Sequence, residues 1–144
     1  MPIWTETWQF WAAMAAVFAA FTAIFAKVGV DELNPDVATF LRTLVVAVVL
    51  GLVLAATRRF EVPDRIPVRG AGFLILSGLA TGASWICYFR ALKLGNASQV
   101  VPVDKLSVVL VAIFGALFLG EHLSASSWLG VALIASGAIL VALG

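Results

Sequence analysis

The chain has 144 residues, of which 62% are hydrophobic and 12% are charged, and its mean hydropathy is +1.08. Soluble domains are nearer half apolar and about a quarter charged, so the composition predicts an integral membrane protein. The formal net charge of +1 excludes the basic surface that nucleic-acid binding needs, and the single cysteine excludes an internal disulfide.

Five apolar stretches are each long enough to cross a bilayer as a helix of about 20 residues. They cover 7–27, 36–57, 70–89, 97–119 and 126–143. Asn34 and Pro35 break the chain before the second helix. Pro102 falls in the first turns of the fourth, where we expect its missing N–H to cost little. The sequence therefore predicts one all-α membrane domain over 1–144, because five consecutive spans disfavour the alternative of buried helices in a soluble protein.

Five spans place the two termini on opposite faces of the membrane, where the Lys and Arg content of short loops predicts orientation. The N-terminal face carries four such residues and the other face three, namely Arg58, Arg59, Arg65 and Arg69 against Lys27, Arg90 and Lys93. This weak bias mildly favours a cytoplasmic N-terminus, and it would let a population of molecules insert in each orientation.

Three charges interrupt the predicted spans: Arg42 in the second helix, and Asp104 with Lys105 in the fourth. An ionisable side chain at membrane depth costs roughly 2.5 kcal/mol or more, so it usually faces a bundle interior or a polar pathway. Both helices start from the same face, and a rise of about 1.5 Å per residue places Arg42 and Asp104 each about 9 Å from it. The third helix ends at that face, so we expect Trp85 and Tyr88 at the same level.

Helix three also carries a polar stripe, because Ser77, Thr81, Ser84 and Tyr88 repeat at helical spacing. Such a stripe indicates a surface that faces a cavity. Four glycines are predicted to mark close helix packing, the first two as a GxxxG pair: Gly78, Gly82, Gly130 and Gly137.

On helix four, Ser107 shares a face with Asp104, whereas Lys105 points about 100° away, so the two charges need not serve one pocket. Each of these features has a plainer alternative. Arg42 could snorkel to the headgroups, and Asp104 could form a structural ion pair with Lys105 or Arg42. The hydroxyls could bond to their own helix carbonyls, and the aromatic residues could be interfacial anchors.

No hydrolytic or redox motif is present: the chain lacks GxSxG, HExxH, GxGxxG and paired catalytic carboxylates. We therefore expect no enzyme, no catalytic residue, no cofactor and no metal site.

Several segments carry a recognisable family pattern: Phe25–Gly29, Asn34-Pro35, Phe40–Arg42, Ser84–Ser98, Val101–Ser107, Leu119–Glu121 and Trp128–Ile134. Over nearly the whole chain, they resemble the EamA domain of the drug/metabolite transporter superfamily. The resemblance implies a fold that typical members build from two such domains, with ten helices in an inverted repeat and substrate between the halves. This chain holds one five-helix unit, so we expect a homodimer, and an antiparallel one would restore the ten-helix architecture.

The resemblance predicts a transporter in the bacterial inner membrane that exports or exchanges a small organic solute by alternating access. Asp104 would be the coupling or substrate-binding carboxylate, while Lys105 and Arg42 would tune its charge or contact an anionic substrate. Trp85 and Tyr88 would close over the solute, and the remaining lining would come from Thr81, Ser84 and Ser107. The alternatives are a non-transporting accessory or scaffold subunit, whose charges would be structural, and a passive channel.

Overall fold

The structure, a computed structural model, describes residues 7–57 and 67–144, and within these ranges every regular element is a helix. The helices are α1 (Trp8–Glu32), α2 (Pro35–Ala56), α3 (Val68–Leu94), α4 (Ala97–Asp104), α5 (Ser107–Phe118) and α6 (Ala125–Leu143). Because α4 and α5 together form one apolar stretch, Ala97–Phe118, the described chain has five helices long and apolar enough to cross a membrane. The predicted all-helical architecture of five spans is confirmed.

Two compact units make up the chain. The first, residues 25–93, contains the end of α1 with α2 and α3, and its buried side chains include Val30, Ala38, Phe89 and Leu92. The second contains the described residues up to Ile24 and residues 94–144, and here α6 packs against α4 and α5. Only 6–17% of each apolar window is buried, so most of each helix surface is left for lipid or another subunit.

Local capping explains where several helices begin and end. The Asn34 side chain accepts a hydrogen bond of 2.9 Å from the Asp36 N–H, and Pro35 follows as the first residue of α2. Ser124 caps α6 by accepting from the Ser127 N–H. The predicted break at Asn34-Pro35 is therefore confirmed, and its cause is the Asn34 N-cap with which α2 begins.

Two helices run further than the sequence predicted. Helix α1 ends at Glu32 instead of residue 27, and α3 ends at Leu94 instead of residue 89. The predicted ends rested on the first charged residues after each apolar run, but Lys27 pairs with Asp31 one turn on at 2.9 Å, which supports further helix. A charged residue shows where the apolar surface of a helix ends, but the helix itself can continue past it until a helix-breaking residue.

The fourth predicted helix is broken, and the expectation that Pro102 costs little was wrong. Pro102 is the sixth residue of α4, inside the helix, where it has no N–H to donate to the carbonyl of Ser98. The helix stops at Asp104, and the N–H groups of Leu106 and Val108 each donate to a carbonyl three residues back, at 3.0 Å. The chain thus changes to a tighter 3₁₀-like turn before α5 begins.

Candidate functional site

Asp104 lies at the break between α4 and α5. Its Oδ2 atom is 3.1 Å from the Nζ atom of Lys105, so the two charges pair although the helical wheel separates them. The break and the long lysine stem allow the ammonium to turn back. Asp104 is 34% exposed and Lys105 53% exposed, so this is a partly open ion pair.

An open, mostly apolar cavity of about 500 Å³ adjoins this carboxylate. Leu106, Ser107 and Leu110 line it from the start of α5, and Ala135 lines it from α6. A small side chain on α6 leaves the space open opposite the break. The cavity is open and not enclosed, and its lining combines one carboxylate and one hydroxyl with apolar side chains.

The backbone adds polar atoms at the same place. In an unbroken helix the N–H groups of Leu106 and Val108 would bond to the carbonyls of Pro102 and Asp104. Here these donors turn to the carbonyls of Val103 and Lys105 instead. The carbonyls of Pro102 and Asp104 thus lose these two donors within one apolar stretch of the chain.

In the other unit, Arg42 lies against two aromatic rings of α3. Its guanidinium carbon is 4.1 Å from the centroid of Trp85 and 5.6 Å from that of Phe89. Phe89 is buried and contacts the edge of Tyr88, with 6.2 Å between ring centroids. Cation–π attraction thus holds the predicted residues Arg42 and Trp85 together, and Arg42 is partly buried.

Arg90, which the sequence presented as a loop charge, pairs with Asp36 near the start of α2. Its Nε and Nη2 atoms donate to the two carboxylate oxygens of Asp36 at 3.2 and 3.0 Å. This two-point pair joins α2 to the last turns of α3.

Two lysines that the sequence offered only as orientation charges connect the ends of α1 and α3. The Lys27 ammonium donates to the Leu92 carbonyl at 2.8 Å. In return, the Lys93 ammonium donates to the carbonyls of Val30 and Asp31 at 2.7 and 2.8 Å, near the end of α1. Each lysine therefore satisfies carbonyls that the other helix leaves unpaired at its C-terminus, and we call this arrangement the lysine clamp.

The polar stripe and the glycines of helix packing give weaker evidence for a functional site. The Thr81 hydroxyl donates to the Ser77 carbonyl at 2.8 Å, so the plainer alternative holds for Thr81, while Ser84 is exposed. No described atom comes within 4 Å of a Cβ built at any of the four predicted packing glycines, Gly78, Gly82, Gly130 and Gly137. Their role in helix packing stays a prediction that requires a contact from outside the described chain.

The predicted site residues fall into the two units. Asp104, Lys105 and Ser107 lie in one, and the other contains Arg42, Trp85, Tyr88, Thr81 and Ser84. The common membrane level predicted for them stays a prediction, as does the orientation bias, since Arg58, Arg59 and Arg65 lie outside the described residues. In the ranges that the structure describes, no three His, Cys, Asp or Glu side chains come together as a metal site.

Comparison with known proteins gives a consistent result. The chain matches the model of the EamA-like transporter family over residues 6–143. It is 59% identical to a Sinorhizobium protein named "Uncharacterized transporter in cobO 3'region", with 96% of this chain and 98% of the relative aligned. An uncharacterized protein of Methanocaldococcus jannaschii is 26% identical over 90% of this chain and 92% of its own length.

A shorter match, 35% identical over 51% of this chain, covers 25% of an uncharacterized transporter of Bacillus subtilis. No solved structure matches the chain significantly. The family match covers all five apolar helices, from the start of α1 to the end of α6. The chain is therefore an integral membrane protein that belongs to the EamA-like transporter family.

Proposed function

We propose that the protein is a carrier for a small organic solute in the bacterial inner membrane, and that it exports or exchanges this solute by alternating access. The observation that supports this proposal most is the helix break at Asp104, beside an open cavity. Transporters often bind substrate and coupling ions at discontinuous helices, where freed backbone carbonyls and an intramembrane carboxylate provide polar contacts.

Asp104 would bind a cationic group of the solute or a coupling cation. In the unloaded protein the Lys105 ammonium lies 3.1 Å from that carboxylate. The pair is partly exposed, so an incoming cation can approach the carboxylate and replace the lysine as its partner. Lys105 would thus act as a resident counter-charge that keeps the empty site close to neutral.

Two copies of the chain would form the complete carrier, oriented oppositely so that their helices form an inverted repeat. Support comes from the exposed helix surfaces and from the open glycine pair Gly78 and Gly82 on α3, which admits the close approach of another helix. The length of the relatives agrees, since the chain covers 98% of the Sinorhizobium protein and 92% of the archaeal one.

Solute flux into proteoliposomes tests the role of Asp104. Purified protein is screened for counterflow of radiolabelled amino acids and organic amines, and Asp104→Asn is compared with Glu32→Gln. Glu32 is an exposed carboxylate at the end of α1. Asp104→Asn should abolish flux and leave the oligomeric mass unchanged by light scattering, while Glu32→Gln should transport normally. Flux of Asp104→Asn equal to that of the unaltered protein contradicts the proposal.

The accessory-subunit alternative is favoured by one observation, the pairing of Asp104 with a lysine of its own chain. A purely structural pair can be replaced by a neutral one. In the double variant Asp104→Asn/Lys105→Met, a structural role predicts normal assembly and no loss of any activity that the unaltered protein shows. The carrier proposal predicts normal assembly and no flux.

A further inference from the structure

We propose that Arg42 is an oxyanion-binding residue, and that it takes the carboxylate or phosphate group of the transported solute. The inference deepens the carrier proposal above, since it assigns a chemical class to one end of the solute. It rests on how the guanidinium is held in the unit formed by residues 25–93, where two aromatic rings of α3 contact it and no described residue accepts a hydrogen bond from it.

The contacts of Arg42 use only one part of the group. Its guanidinium carbon lies 4.1 Å from the Trp85 centroid and 5.6 Å from the Phe89 centroid. A cation above an aromatic ring is attracted by the ring's π-electrons, so the group has more N–H donors, five in all, than such a contact can occupy. Among the described residues, Arg42 forms no salt bridge and donates no hydrogen bond.

The described carboxylates of the same unit do not pair with Arg42. Asp36, on the same helix, accepts two hydrogen bonds from Arg90 at 3.2 and 3.0 Å. Asp31 pairs with Lys27 at 2.9 Å, and Glu32 is exposed at the end of α1. Among the residues that the structure describes in this unit, no carboxylate is thus paired with Arg42, although a cation inside a membrane span usually has a partner.

The geometry selects the kind of ligand. Carboxylate and phosphate groups present two oxygens at the spacing of the guanidinium edge, and such two-point pairs are stronger than neutral hydrogen bonds. Trp85 is only partly buried, so its ring also offers an apolar surface beside the anion. Phe89, whose side chain is only 2% exposed, provides a second, buried ring near the arginine. A solute with an anionic group next to an apolar body fits this arrangement.

A lipid headgroup carries the same phosphate chemistry and could reach an arginine about 9 Å from the membrane face, because the side chain is long. The two sources differ in one measurable respect. A soluble anion binds in a bilayer that lacks anionic lipid, and its affinity is then set by its own charge. An anionic headgroup at Arg42 would compete with it.

The test measures binding of benzoate and phenylphosphonate, with the uncharged isostere benzamide as the matched probe. Calorimetry is done on the protein in nanodiscs of phosphatidylcholine, and repeated with phosphatidylglycerol added. Arg42→Gln and Arg42→Lys are compared with Arg69→Gln, which removes an exposed arginine at the start of α3. Size-exclusion chromatography confirms that each variant is folded.

We expect at least one of the two anions to bind at least about tenfold more tightly than benzamide. Arg42→Gln should remove this preference, Arg42→Lys should retain only part of it because it lacks the planar edge, and Arg69→Gln should keep it. The inference is overturned if neither anion binds, if benzamide binds as well, or if Arg42→Gln binds like the unaltered protein. It is also overturned if phosphatidylglycerol abolishes anion binding to the unaltered protein, since the residue then holds lipid.

Binding and transport fail separately in this design. If the protein binds benzoate through Arg42 but moves no solute into liposomes, the carrier proposal is contradicted and the oxyanion site stands. If transport is equally fast with and without Arg42 and no anion preference is measured, the oxyanion site is contradicted and the carrier proposal stands.

Discussion

Replacement of Lys93 by methionine tests the lysine clamp, because it deletes the ammonium and keeps most of the apolar stem. The ammonium donates to the Val30 and Asp31 carbonyls at 2.7 and 2.8 Å, and to the Leu33 carbonyl at a weaker 3.4 Å. Hydrogen bonds that involve a charged group contribute about 1.5–3 kcal/mol each. Two short bonds at the low end of this range give about 3 kcal/mol, and partial exposure of Lys93 reduces this to about 2 kcal/mol.

The measurement is the free energy of unfolding, from titration of the detergent-solubilised protein with sodium dodecyl sulfate, followed by far-ultraviolet circular dichroism. Arg69→Met is the matched control, because it removes a cation from the exposed first turn of the same helix. We expect Lys93→Met to be destabilised by about 2 kcal/mol and Arg69→Met to lie within about 0.5 kcal/mol of the unaltered protein. Equal stability of the two variants would refute the clamp as a source of stability.

Two glycines at the end of α5 give further expectations in the same assay. Gly120 has a φ of +67°, a left-handed conformation that strains other residues. Gly120→Ala should therefore lower the free energy of unfolding by about 1–2 kcal/mol, and Gly120→Asn by less. Equal stability of Gly120→Ala and the unaltered protein would contradict this strain. A Cβ at the buried Gly115 would come within 2.7 Å of the Glu121 Oε2 atom, so Gly115→Ala must displace that carboxylate. The added Glu121→Ala change should recover most of the stability lost in Gly115→Ala, and a loss that persists unchanged would show that the carboxylate is not the obstacle.

The sequence predicted those parts of the fold that depend on local patterns. Apolar stretches of bilayer length gave the five spans, and Asn34 with Pro35 gave the start of α2, because hydropathy and capping are set by neighbouring residues. The break at Asp104 was missed, although its signal, Pro102 within an apolar run, was visible. The expected start at residue 97 agrees with α4, but Pro102 is its sixth residue and so lies beyond the first turn, where a proline interrupts the backbone hydrogen bonds.

The lysine clamp could not be predicted in the same way. Its hydrogen bonds join residues 63 and 65 positions apart, and they depend on how the ends of α1 and α3 meet. The Arg42 site lies between these cases. The depth argument placed Arg42 and Trp85 at one level, and the structure brings them to 4.1 Å. That Trp85 and Phe89 would contact the guanidinium while Asp36 pairs with Arg90 depends on side-chain packing, which the sequence pattern does not contain.

Labelling of the C-terminus in native membranes tests the antiparallel carrier most directly. A Gly144→Cys change is made in a Cys87→Ser background, so that the introduced thiol is the only one in the chain. A membrane-impermeant maleimide is applied to intact cells and then to permeabilised ones. Two opposite orientations predict partial labelling before permeabilisation and complete labelling after it. All-or-none labelling of intact cells means a single orientation, and it would contradict a carrier built from two inverted copies of this chain.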